Sequence, residues 1–272
     1  MNRPAARSLL VALALLLASP LYAHDMFLRL SQFFLRENTT VTVELMNGTF
    51  VLSENAITRD RLLDIAVVSP TGRAALDTSR WRAAGDTSRI DFRTGTAGTY
   101  VLGVSTRPRV LSMTGAEFNA YLKDDGIPDE LAARGAQGRL AEAATERYHK
   151  HVKALVQVGD APSAEFSTVL GYPAELVPVQ NPYALKVGAT LEVRVLTDGK
   201  PKANQLVLYG GLTTSGGRVA QRNVRSDAAG VARIPITRTG PYFVKFISMQ
   251  RLTGDREANH ESKWASLTFG VR

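Results

Sequence analysis

Residues Glu146 to Gly159 read ERYHKHVKALVQVG, and whether this stretch is helix or strand decides how the chain around it is joined. Taken with the residues before it, from Asp129, it reads as a helix with weak spots at Gly135 and Gly138. Ala144, Tyr148, Val152 and Leu155 recur at helical spacing on one face, so the segment is predicted to pack sideways against a sheet. On such a helix His149 and His151 stand ~200° apart and cannot grip one ion together. His151 borders the apolar face and reads either as a satisfied core histidine or as a completing metal ligand, while His149 lies on a flank. An extended segment would put both on one face and restore a chelate.

Upstream, Thr114 stands three residues before Glu117, the spacing of a capping box, and leads into FNAYLKDDG. Gly126 and Pro128 then interrupt, so residues 111–160 read as a helical insertion. On either side the pattern is that of short strands. TTVTVEL (Thr39 to Leu45) alternates apolar and polar residues, LLDIAVVSPTGR runs into a turn at Pro70 and Gly72, and TAGTYVLGVST is a glycine turn followed by a strand. After Tyr172, two strands flank the turn dipeptide Asp198-Gly199, LTTSGGR (Leu212 to Arg218) reads as a hairpin loop, and KWASLTFGV alternates as a closing strand. The fold class is therefore mainly β, with one β-sandwich over residues 24–110 and a second over 171–272.

No cysteine occurs among the 272 residues, which excludes both a disulfide framework and a thiolate metal site. The opening MNRPAARSLLVALALLLASPLYA has Arg3 and Arg7 ahead of an apolar run and small residues at its end. That is the layout of a secretory signal peptide over residues 1–23. The run is shorter than the ~20 residues a membrane span needs, and no later stretch approaches that length. The expectation is a periplasmic or secreted protein, soluble after cleavage near Ala23. Arg3 and Arg7 are the only charged residues in the leader, so its removal takes the formal charge from +8 to +6. Lysine and arginine are scattered with no aromatic platform beside them, so nucleic acid is not expected as a partner.

Four histidines are present: His24, His149, His151 and His260. Cleavage after Ala23 would give His24 a free α-amine beside its imidazole, two nitrogen donors able to close a chelate ring on Cu(II) or Ni(II). Binding would release the amine proton, whose ordinary pKa is ~8. Asp25 could add a carboxylate, or simply lead the first strand. His260 and Glu261 lie in the polar segment GDREANHESKW, where a metal or substrate contact is plausible because loops carry binding residues. The expected metal ligands are thus His24, Asp25, His151, His260 and Glu261. A copper oxidase would need His24 to meet His151 or His260 in space. No GxSxG, HExxH or phosphate-loop motif is present, so no catalytic role is expected. The competing expectation is a non-catalytic sandwich that binds a polysaccharide, peptide or envelope partner, and it calls for an exposed aromatic patch among Tyr172, Tyr183, Tyr242 and Trp264.

The combination of HDMFLRL after a leader, NGTF, GTYVLGVSTRPR, ERYHKHVKALVQVG, LGYPAELVPVQNPYALKVGATLEVRVLTDGKP, SDAAGVARI and ESKWASLTFGV resembles a bacterial exported family. That family is catalogued as a domain of unknown function and labelled a predicted periplasmic component of nickel/cobalt transport, the NikM-like group. The likeness covers nearly all of the chain after the leader. It implies a C-terminal unit similar to immunoglobulin-like or transthyretin-like sandwiches, a role in nickel, cobalt or copper uptake or homeostasis, and a membrane transporter component as partner. Members often carry a histidine before the methionine of the strand read here as FISM, where this chain has Ser248.

Overall fold

A computed structural model describes residues 24–272; the expected signal peptide lies outside the described residues. The N-terminal part contributes β1 (Asp25–Arg29), β2 (Phe34–Leu35), β3 (Thr40–Gly48), β4 (Leu62–Ser69), β5 (Gly72–Ala75), β6 (Arg82–Ala84), β7 (Thr87–Arg93), β8 (Gly98–Thr106) and β9 (Arg109–Met113). Two helices follow, α1 (Gly115–Asp124) and α2 (Pro128–Ala136), then the long strand β10 (Ala144–Val158). The remainder supplies β11 (Ala174–Pro178), β12 (Thr190–Thr197), β13 (Lys200–Pro201), β14 (Leu206–Leu212), β15 (Arg218–Arg225), β16 (Val231–Pro235), β17 (Gly240–Arg251) and β18 (His260–Val271).

These strands form three layers. The central sheet runs β15-β14-β17-β18-β10-β8-β4-β5, with β2 and β9 also pairing with β10. A four-stranded sheet, β1-β3-β7-β6, covers one face, and a second, built from β11, β12, β13 and β16, covers the other. Alternation along the central strands shows the division. Val67, Leu102, Val104, Val152 and Val156 pack in one core with the N-terminal sheet, while Val68, Val101, Leu155, Leu267 and Phe269 pack in another with the C-terminal sheet. The first layer ends short of the lower part of β10, and there Phe118, Tyr121 and Leu122 of α1 pack on Ile247 and Trp264.

The expected helix over residues 144–158 is a strand, and it sits in the middle of the molecule. β10 pairs in parallel with β18 from Glu146↔His260 to Ala154↔Thr268, and antiparallel with both β8 and β9. Its period of two is masked because both faces are buried and each face carries charge among its apolar residues. The charges have partners. Lys153 Nζ lies 3.1 Å from Glu175 Oε2, and the Tyr121 hydroxyl donates to Glu146 Oε1 at 2.8 Å. The two true helices fall inside the segment read as helical, and α1 begins with the expected reciprocal cap between Thr114 and Glu117.

Candidate functional site

Because β10 is extended, His149 and His151 project from the same face, towards the C-terminal sheet. His151 Nε2 lies 3.1 Å from His149 Nδ1, and the rings meet edge to face at 5.0 Å. On its other side His151 Nδ1 is 2.9 Å from Ser105 Oγ, and the Tyr172 ring covers the imidazole at 5.7 Å. Gly103 of β8 makes room for this cover, since a Cβ there would come within 2.7 Å of the Tyr172 hydroxyl oxygen. Burial, and then the neighbouring His149 and Lys263, push the pKa of His151 down to about 3. Burial likewise lowers that of His149, partly offset by Glu261. Both imidazoles are therefore neutral at pH 7, the form a metal requires.

The surroundings of the pair are polar. His149 Nε2 is buried without a hydrogen-bond partner and lies 3.8 Å from Glu261 Oε1. Glu261 accepts from Gln250 Nε2 at 3.0 Å and faces Lys263 Nζ at 3.6 Å. That ammonium group also lies 2.6 Å from Asp198 Oδ2, on the turn between β12 and β13. Ser248 pairs with Lys263 across β17 and β18, so the position where the resembling family often has histidine borders this cluster.

The other expected ligands do not join it. His24 Nε2 lies 3.2 Å from Glu54 Oε2, and its carbonyl accepts from Lys150 Nζ; Lys150 is on the opposite face of β10 from His151. Asp25 is tied up in an ion pair with Lys245. His260 is buried under α1 and α2, with Nδ1 2.7 Å from Asn259 Oδ1, Nε2 3.3 Å from Glu130 Oε1 and the Phe118 ring 4.7 Å away. Glu261 alone of the expected set comes near His151, and only through His149. Among the described residues no group of three or more histidine and carboxylate side chains is arranged to hold a metal ion. His24 meets neither His151 nor His260, so the three-nitrogen arrangement that a copper oxidase would need is absent from the described residues. Of the four aromatics named for a binding platform, Tyr172, Tyr242 and Trp264 are buried in cores, and Tyr183 packs against them, its hydroxyl donating to the Leu155 carbonyl at 2.5 Å.

Sequence reading missed a second cluster, on the face of β10 towards the N-terminal sheet. Lys150 sits between the rings of Tyr148 and Trp264, 5.6 and 4.9 Å from their centroids. Burial lowers its pKa to about 8, against the pull of Asp25, Asp125 and Glu146. Asp125, at the C-terminal end of α1, is pushed up to about 7 by burial and by Asp25, against Lys245 and Lys150. The signal in the sequence is slight: Glu146, Tyr148 and Lys150 alternate on one face only if the segment is extended, and a helix scatters them.

Comparison with known proteins adds the following. A family model described as "Domain of unknown function (DUF4198)" matches residues 21–250, and the chain belongs to that family. The description gives no activity and no link to nickel or cobalt. No curated protein matches the chain. A two-domain fibronectin type III segment from chicken tenascin is similar at 14% identity and a TM-score of 0.22, over 89% of this chain and 97% of that one. Trypsin-activated alpha-2-macroglobulin from Escherichia coli is similar at 11% identity and a TM-score of 0.22, over 92% of this chain and 16% of that one.

Proposed function

We propose that this member of the DUF4198 family is an exported, non-catalytic β-sandwich protein that takes up one divalent transition metal ion, nickel, cobalt or copper, at the His149–His151 pair. The observation that carries the reading is the 3.1 Å separation of His149 Nδ1 and His151 Nε2, two neutral imidazole nitrogens on one strand face. Two nitrogens bound to one tetrahedral ion at ~2.0 Å stand roughly 3.3 Å apart, so the pair needs little movement to accept a metal. Ser105 holds His151 from behind, the kind of outer contact that fixes a ligating ring and its tautomer. Imidazole suits nickel, copper and zinc alike, so affinity follows metal supply as well as the donor set. With two protein donors, the remaining coordination positions fall to water or to a ligand from a transporter partner.

Calorimetric titration with Ni(II), Co(II) and Cu(II) tests the reading. One-to-one binding in the parent, weakened at least tenfold in His149→Gln and in His151→Gln, is the expected result. Binding that survives both substitutions and disappears in His24→Gln would move the site to the amino terminus, where Glu54 already faces the His24 ring. The absence of saturable binding for all three ions would overturn the metal reading and leave the non-catalytic module.

A further inference from the structure

On the opposite face of β10 a cavity of about 340 Å³ opens between β1, β3, the segment 55–61 and the β9–β10 pair; its lining includes Arg61, Arg109, Lys150, Tyr148, Asn47 and Asn55. No aspartate or glutamate lines it. We propose that this cavity is a binding site for a small oxyanion, a phosphate or carboxylate group, gripped by Arg61 and Arg109 with Lys150 behind them. The site is distinct from the histidine pair and does not depend on a metal.

Arg61 carries the argument. It is 6% exposed, yet its guanidinium has no ion pair and no hydrogen bond among the described residues, and Nη1 is buried with no partner. A buried guanidinium without an ion pair is costly, and burial, with Arg109 beside it, lowers its affinity for its proton against the opposing pull of Tyr148 and Asp60. Its nearest support is the Tyr148 ring, 5.6 Å from the guanidinium carbon. Lys150 stands at the same distance from that ring and spends its hydrogen bonds on the His24 carbonyl and on Asn47 Oδ1, with no carboxylate in ion-pair reach among the described residues. Arg109 pairs directly across from Tyr148 in the β9–β10 ladder, which places it at the exposed rim.

Three cations thus line one cavity with no carboxylate in its wall and none in ion-pair reach among the described residues; Asp60 beside the arginines and Asp25, Asp125 and Glu146 near Lys150 act on them only at longer range. A bound oxyanion would satisfy the orphaned nitrogen of Arg61 and neutralise the mutual repulsion of the two guanidinium groups. Arginine suits this because its planar fork matches both carboxylate and phosphate oxygens. The volume lies at the small end of ligand sites, in keeping with one small anion rather than a polymer. Asn47 donates to Asn55 Oδ1 at 2.6 Å, which fixes the polar wall before anything binds.

The test is calorimetric titration of the chelator-treated protein with inorganic phosphate and, separately, with citrate, against chloride at matched ionic strength to remove general screening. Saturable one-to-one binding of either probe, absent with chloride, is expected, and the tighter of the two identifies the phosphate or the carboxylate class. Arg109→Gln should weaken it about tenfold, the loss of one charge-assisted contact, and Arg61→Gln should abolish it. If the buried Arg61→Gln variant fails to fold, the exposed Arg109→Gln decides alone. No saturable heat with either probe, or binding unchanged in Arg109→Gln, would overturn the proposal. Because the protein is stripped of metal throughout, failure of the metal reading leaves this result unaffected.

Discussion

At His151 and Asp125, burial acts on opposite kinds of charge, and the two residues tilt stability in opposite directions with pH. His151 falls from an ordinary 6.5 to about 3 in the folded chain. Between those values the unfolded chain binds the extra proton, so this residue's contribution to stability is lost as pH drops from 6.5, at up to about 1.4 kcal/mol per pH unit. Asp125 rises from 3.8 to about 7, so the folded chain holds a proton that the unfolded chain releases, and its contribution grows as pH falls from 7 towards 4. The slopes oppose each other between pH 4 and 6.5. Thermal unfolding from pH 4 to 8 should therefore show a shallow profile in the parent. His151→Gln should gain stability relative to the parent on acidification, and Asp125→Asn should lose it. Parallel profiles for all three proteins would mean that neither group titrates as its burial implies.

Strands that alternate or are nearly all apolar were legible in the sequence even where both faces are buried, as in β8 and β18, and the buried strand that carries charge on both faces was not. TTVTVEL became β3, KWASLTFGV became part of β18, and Asp198-Gly199 became a tight turn with both residues at positive φ, 51° and 72°. The cap at Thr114 was legible because capping is a local hydrogen-bond pattern. β10 escaped because Glu146, Lys150 and Lys153 are buried charges whose partners, Tyr121, the His24 carbonyl and Glu175, come from distant parts of the chain. Read as a helix, this segment sets His149 and His151 on different faces, and the candidate site appears only under the extended alternative. The cavity around Arg61 could not be read at all, since Arg109 meets Tyr148 and Lys150 only through the β9–β10 pairing, and Arg61, just ahead of β4, is brought in by the β4–β8 pairing and the bond from Arg107 N to its carbonyl. The position of β10 beside β8 also gives a packing test. Gly103 lies under Leu170 and Tyr172, where an added Cβ would come within 2.3 Å of Leu170 Cδ1. Gly103→Ala should cost about 1–3 kcal/mol in denaturant unfolding. It should also lift Tyr172 from His151 and raise the His151 pKa, which can be read from its ring resonances. An unchanged stability would mean that the C-terminal sheet yields freely at this point.

For the whole molecule, the central sheet matters more than the two outer layers. Segments 24–110 and 171–272 each have an outer sheet of their own, but both lay it on a sheet whose middle is β10 alongside β18. The parallel β10–β18 ladder and the antiparallel β10–β8 ladder join strands from both ends of the chain. Ser266 and Thr268 of β18 reinforce this, donating at 2.7 Å to the carbonyls of Met26 and Leu28 in β1, some 240 residues away in sequence. Neither outer sheet can melt without exposing one face of the shared one, which couples the two cores. Calorimetry of the chain should accordingly give one transition whose van't Hoff and calorimetric enthalpies agree. Segment 171–272 expressed alone should fail to fold, because β18 would lose its partner along the whole ladder with β10 and present a long unpaired apolar edge. Two resolved transitions, or a soluble and cooperatively folded 171–272 fragment, would show instead that β10 belongs energetically to the N-terminal half and that the two sandwiches are separable units meeting at a seam.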